Sequence, residues 1–358
     1  MHRLLLAVQL VISLLLAVPG TNAVQASSLQ AAGVIYLPIG SRERLLLNDA
    51  VRTIEPAAVG STTSFHAPMD ATPDPDGNQF YFTAMSSQGA GLFAVPATGG
   101  AVVTLTVGAP LVAPVGLVVS TDGQSIYIAD TNAAVSTTQA ITAKTPLTAT
   151  GALFSLPSSG GRPTLIAGTE HTAPRGITVV KENDVDVIYF TGVASEDGQP
   201  AVMKIPASGG TLTVLEKGGQ LVAPAGIAVS KTGAIYIADQ AASGGEWGSV
   251  FRFNLHPHAG RSSHAELLAD RVRMGNPAGI TLTFDESLLL VSTLETNART
   301  SQVLVINTTT RDQGIVNKIV GVNTASGGLH RAHNNNVMVW CGVTAGTGGQ
   351  GIVYRIAF

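Results

Sequence analysis

Asp130 and Asp239 close the same five-residue phrase, IYIAD, at the ends of two apolar runs. A carboxylate in that place can ligate Ca²⁺ or hold a substrate hydroxyl, and it can equally accept backbone N–H groups and fix the turn that follows. Asp70 stands where related segments carry glycine, and His66 precedes it closely. Arg175 fills the middle of a Pro-Arg-Gly triplet whose counterparts hold Val115, Ala225 and Ala278, so one fixed positive charge interrupts an apolar series. Glu295, His330, Arg331 and His333 complete the ionisable set. Trp247, in GGEWG, is a large ring among glycines, either a contact anchor or a cap; Trp340 is the other aromatic with a claim to exposure. The candidate ligand-binding residues are therefore His66, Asp70, Asp130, Arg175, Asp239, Trp247, Glu295, His330 and Arg331, with no catalytic residue assigned.

Other patterns lack the context their chemistry requires. GTGGQG, residues 346–351, matches a dinucleotide fingerprint in letters, but a strand-like IVYRIA follows it where a helix N-terminus would have to hold the pyrophosphate. His256, His258 and His264 lie near one another in a connection on the side away from the other candidates and read as exposed histidines. Serine-hydrolase elbows, zincin motifs and paired cysteines do not occur.

The elements that carry these residues repeat. Aligned on the proline of AP-x-G, copies begin at Pro68, Pro114, Pro174, Pro224 and Pro277, and a degenerate copy near Gly327 has Asn334–Asn336 in place of its turn. A period of about fifty residues holding several short strands means a propeller or a solenoid. In each unit a small apolar strand comes first, as suits blades crowding an axis. Next comes an alternating strand such as IYIAD, IYFTG or FYFTA, then a third such as ALFSLP or AVMKIP. Gly-rich turns (PATGG, PSSGG, PASGG) lead into a fourth strand. The prediction is an all-β, six-bladed β-propeller with four antiparallel strands per blade. The last blade lacks an outer strand at the C-terminus, and residues 42–49, RERLLLND, are expected to supply it from the N-terminal side, closing the ring. Residues 34–39 resemble a third strand as well, and their pairing in that blade stays open.

The unit P-x-G-(I/L)-x-V followed by G-x-I-Y-I-A-D and x-V-x-x-(I/V)-P-x-x-G-G resembles the NHL, YWTD-like and SMP-30/gluconolactonase group of six-bladed propellers, over nearly the whole mature chain. That group includes lactonases, lyases, receptors and interaction scaffolds, so the resemblance implies fold more than function. Resemblance to the SMP-30 members implies one divalent cation, Ca²⁺ foremost, held by an acidic residue at the start of an inner strand, an Asn and an Asp. Asp70 would take the first role and Asp130 or Asp239 the last, while none of the P-x-G sites carries the Asn.

Composition narrows the setting. The net charge is −3 and charged residues are 12% of the chain, which leaves no basic surface for nucleic acid. Residues 1–26 read as a secretory signal: a basic start, an apolar core of about 15 residues, shorter than the ~20 of a spanning helix, and small residues at Ala23 and Ala26. The mature chain, residues 27–358, is expected to be a single soluble domain, periplasmic or extracellular, monomeric and without stable membrane insertion. Connections between second and third strands are long and variable, while those between first and second are short, so the loop-rich face is the expected working face. Two functions remain open. One is a scaffold binding a protein, peptide or small molecule through that face. The other is a metal-dependent hydrolase or lyase of the SMP-30 kind with its site in the axial funnel.

Overall fold

Alternating β-branched and aromatic residues make strands buried on both faces, and the chain uses them to build six four-stranded antiparallel sheets. The computed structural model describes residues 51, 53–61, 63–134, 150–254, 265–295, 300–316 and 325–357. The first blade holds β2 (His66–Pro73), β3 (Gln79–Ser86), β4 (Gly89–Pro96) and β5 (Val103–Val107), after β1 (Thr53–Val59). The second holds β6 (Pro114–Val119), β7 (Ser125–Asp130), β8 (Ala152–Pro157) and β9 (Thr164–Leu165). In the third are β10 (Ile177–Glu182), β11 (Val185–Val193), β12 (Pro200–Pro206) and β13 (Thr213–Lys217). The fourth comprises β14 (Pro224–Val229), β15 (Ala234–Asp239), β16 (Gly248–Asn254) and β17 (Glu266–Val272). The fifth has β18 (Ile280–Leu282), β19 (Leu288–Leu294), β20 (Ser301–Asn307) and β21 (Gln313–Val316). The sixth runs β22 (Ser326–Arg331), β23 (Met338–Gly342), β24 (Ile352–Ala357) and then β1. The fold is a six-bladed β-propeller, as the repeat predicts.

In the sixth blade β1 pairs antiparallel with β24, Thr53 opposite Ala357 and Val59 opposite Ile352, with a bulge between Pro56 and Ala58. Proline donates no backbone N–H, so an outer strand with one open edge is where it is tolerated. Residues 42–49, expected in this outer place, and residues 34–39 lie outside the described residues, as do the proposed signal, residues 1–26, and the histidines at 256, 258 and 264.

The core is divided among the interfaces between blades. Phe65, Phe80, Phe82 and Phe93 of the first blade pack on Cys341 and Val353 of the sixth, with the Phe65 and Phe82 rings edge-on at 4.7 Å. Leu92 meets Leu117 and Ile128 across the next interface, and Trp340 and Tyr354 of the sixth blade face Leu290 and Val305 of the fifth. Trp340 is fully buried, stacked on Tyr354 at 5.3 Å and donating from Nε1 to Ser326 Oγ at 2.9 Å. It is a core residue and offers no exposed platform. GTGGQG forms a single 3₁₀ turn, Thr347–Gly349, before β24, which agrees with setting the dinucleotide fingerprint aside.

Candidate functional site

Each blade's innermost strand brings its P-x-G segment to the hub, and the glycines show how tightly those strands meet. A Cβ on Gly116 would lie 2.1 Å from the Arg175 carbonyl oxygen, one on Gly176 2.3 Å from that of Ala225, and one on Gly226 2.3 Å from that of Ala278. On Gly279 it would lie 2.2 Å from Leu329 N, and on Gly328 1.5 Å from Asp70 Oδ1. Five blades therefore present glycine at this level and the first presents Asp70, whose carboxylate fills the room Gly328 leaves. Asp70 is 3% exposed. Its Oδ1 accepts the Ala71 N–H at 2.9 Å; its Oδ2 accepts the Leu117 N–H at 2.8 Å and faces His330 Nε2 at 3.1 Å. One carboxylate thus ties together the first, second and sixth blades. The remaining space at this level is about 10 Å³, no more than one water.

Two residues further along each inner strand, the same side of the pleat carries Thr72, Val118, Thr178, Ala228, Thr281 and His330, one from each blade, around a cavity of about 90 Å³. Thr72 is 2% exposed and Thr281 8%, yet neither hydroxyl, nor that of Thr178, has a hydrogen-bond partner among the described residues. Glu286, Arg331 and His333 form the outer wall. Arg331 donates from Nε to Leu282 O at 2.8 Å and from Nη1 to the carbonyls of Ala332, His333 (3.2 Å) and Asn335 (2.9 Å). These bonds leave Nη2 without a partner among the described residues. Burial pulls the Arg331 guanidinium below its ordinary range, and the Glu286 charge opposes that. His333 reaches across the first blade to place Nε2 3.1 Å from the Val119 carbonyl oxygen. Burial holds its imidazole below the usual value, helped by the charge of Arg331.

This mouth lies at the end of the inner strands that carries the short turns, opposite the loop-rich face. The sequence points to the loop-rich face as the working side, and the polar cavity opens on the other one. The Asn334–Asn336 run builds its rim. Asn334 Nδ2 donates to Asp76 Oδ1 and Asn335 Nδ2 to Asp76 O, each at 2.7 Å, while Asn336 Oδ1 accepts the Phe284 N–H at 2.6 Å. The sixth blade's turn is thereby fixed to those of the first and fifth.

A chain of side-chain contacts links three blades on the loop-rich side. Arg175 Nη2 donates to Gln240 Oε1, and Gln240 Nε2 donates to Gly275 O at 2.5 Å, so one chain of contacts crosses from the third blade to the fifth. Burial pulls the Arg175 guanidinium down to about 10, against the opposing charge of Asp239. Arg175 stays cationic at neutral pH and its charge serves this arc.

Asp130 and Asp239 are fully buried and engaged with backbone. Asp130 accepts N–H groups from Val112 (2.8 Å), Ala113 (3.1 Å) and Asn132 (3.1 Å); Asp239 accepts from Val222 (2.8 Å), Ala223 (3.0 Å) and Ala241 (3.1 Å). Each fastens the chain entering its own blade to the turn leaving its second strand. Asp70 shares no partner with either. Among the described residues no group of three His, Cys, Asp or Glu side chains is placed to hold a metal ion, and Asp70, Asp130 and Asp239 are not gathered into one ligand set.

The other candidates are dispersed on the loop-rich side. His66 is half-buried opposite Met85 at the edge of the first blade, and the imidazole beside Asp70 is His330 instead. Glu295 is exposed and accepts from Thr300 Oγ1 at 2.7 Å. Trp247 lies under two guanidinium groups, Arg271 at 5.4 Å and Arg273 at 5.6 Å from its ring centre, and Arg273 pairs with Glu246. Cys341 is buried, and that burial, with the Asp70 charge nearby, pushes its thiol well up, away from nucleophilic use.

Sequence reasoning missed the threonines. Thr72, Thr178 and Thr281 share one offset, two residues past the P-x-G glycine position, but threonine is also an ordinary strand residue.

No protein-family profile matches the chain, and no curated protein matches it in sequence. Its structure is similar to the PQQ-bound aldose sugar dehydrogenase of Streptomyces coelicolor, at 12% identity and a TM-score of 0.58 over 85% of this chain and 97% of that one. It is also similar to a gluconolactonase of Xanthomonas campestris, at 13% identity and a TM-score of 0.55 over 86% and 96% of the two chains. A calcium-binding regucalcin of Agrobacterium tumefaciens matches at 13% identity and a TM-score of 0.54 over 84% and 94%. These likenesses establish the fold. Any chemistry must be argued from the hub itself.

Proposed function

We propose that this propeller binds a small hydroxylated molecule in the axial mouth on its short-turn face. The observation that carries the reading is the ring of Thr72, Thr178 and Thr281, three hydroxyls without partners among the described residues, lining one cavity with His330, Glu286 and Arg331. Partly buried hydroxyls left without partners suit a ligand that brings its own donors and acceptors. That two structural neighbours are named for an aldose sugar and for gluconolactone supports this choice of chemistry.

Thermal melting with D-gluconate, D-glucose and erythritol tests it. At least one should raise the Tm with saturable concentration dependence, and Thr178→Val with Thr281→Val should abolish that shift while the free protein melts within a few degrees of the parent. Absence of any shift, or one that survives the double substitution, refutes the reading.

Turnover of a sugar-derived substrate is the second reading, favoured by the Asp70–His330 contact at the cavity floor and by the gluconolactonase and regucalcin neighbours. Its metal-dependent form lacks a fitting ligand set among the described residues. Titration with Ca²⁺, Mn²⁺ and Zn²⁺ decides that form: one saturable site per chain sustains it, and none removes it.

A further inference from the structure

We infer that His330 is a general base, oriented by Asp70, and that the mouth hydrolyses small acyl esters without a metal; the inference rests on the same cavity as the binding reading. Three features point there. His330 Nε2 faces the Asp70 carboxylate at 3.1 Å, and a neutral ring donating from Nε2 carries its lone pair on Nδ1. Nδ1 has no partner among the described residues, and the ring lines the cavity with only 13% of its side chain exposed. Arg331, next on the same strand and also lining the cavity, is held by four carbonyl oxygens through Nε and Nη1, and its Nη2 has no partner among the described residues. An oriented base and a fixed donor beside one polar cavity are the parts that acyl transfer to water needs.

In the step, a water between His330 and the ester attacks the carbonyl carbon and gives its proton to Nδ1. The carbonyl π electrons move onto oxygen, where Arg331 Nη2–H meets the developing charge. Collapse re-forms C=O and breaks the ester C–O bond, and the leaving alkoxide takes the proton back from His330. Ester and water become acid and alcohol, with no redox partner. Asp70 touches no reacting atom and is a positioning residue. The titratable and charged groups facing His330 are Asp70 on β2, Arg331 on its own strand, His333 in the turn that follows and Glu286 of the fifth blade.

Phenyl acetate hydrolysis by the full chain tests the inference. Turnover should saturate and resist chelator. His330→Gln should lower it by about 10²–10⁴-fold. Asp70→Asn should lower kcat by about a hundredfold with little change in KM, a split that a merely structural loss would not produce. Glu196→Gln, in the exposed connection between β11 and β12 on the far face, should leave the rate unchanged. No turnover by the parent, an unaffected His330→Gln rate, or abolition by chelator overturns the inference. Where His330→Gln does not fold, the parent's rate in D₂O decides: a slower rate sustains proton transfer from water in the step, and an unchanged rate overturns it. Ligand-induced melting shifts without hydrolysis refute the base and leave the binding reading standing; the loss of both refutes both.

Discussion

Gly328 stands so close to Asp70 that a Cβ on the glycine would lie 1.5 Å from the carboxylate Oδ1. The sixth blade is shaped around a side chain of the first. Gly328→Ala must displace the carboxylate and with it the contacts to Leu117 N and His330. The loss should be on the order of 3–5 kcal/mol, seen as a large fall in denaturation midpoint, with Asp70→Gly combined with Gly328→Ala recovering part of it through relief of the clash.

Asp130 and Asp239 perform one task in two separate blades, each accepting three or more backbone N–H contacts. Asn offers a single acceptor oxygen and brings an NH₂ towards those donors. Asp130→Asn and Asp239→Asn should each cost about 1–3 kcal/mol. Because they share no partner, the double substitution should equal the sum within about 0.5 kcal/mol in urea unfolding. Coupling well beyond that would show the two carboxylates acting as one site.

His333 makes the short-turn rim sensitive to acid. Its folded imidazole titrates below the unfolded value of about 6.5, mainly through burial, so on acidification the unfolded chain takes up the proton first. The stability it contributes is full above about pH 6.5 and is lost as the pH falls through that value toward the lower folded one. Melting followed from pH 7.5 to 5 should show a steeper decline for the parent than for His333→Gln. Parallel curves would show that this histidine carries no such linkage.

Trp247 is packed against Arg271 and Arg273, and the second of these is paired with Glu246. Its ring closes the long connection of the fourth blade onto β17. Trp247→Ala should therefore lower stability by about 1–2 kcal/mol in denaturant unfolding. An unchanged midpoint would return Trp247 to the role of a free contact anchor.

The repeat made the architecture readable in advance because every blade solves the same problem with the same periodicity: alternation for half-covered strands, glycine where inner strands touch, Gly-Gly where hairpins turn. Thr53–Val59 escaped notice because Pro56 interrupts its pattern, and only the outermost position of a blade tolerates that gap in the ladder. Asp70 was conspicuous as a departure from P-x-G, yet its partner, His330, lies 260 residues away along the chain.

Local sequence could say that Asp130, Asp239 and Arg175 sit at marked points of the repeat. It could not say that the first two would be consumed by backbone amides or the third by Gln240, since a hydrogen-bond partner is a matter of what folds beside it. The blade count, the glycine hub and the strand order of the first five blades were written in the sequence, because they follow from local pattern repeated. Which face holds the cavity, and which three threonines surround it, was decided only when six strands distant in sequence met at one axis.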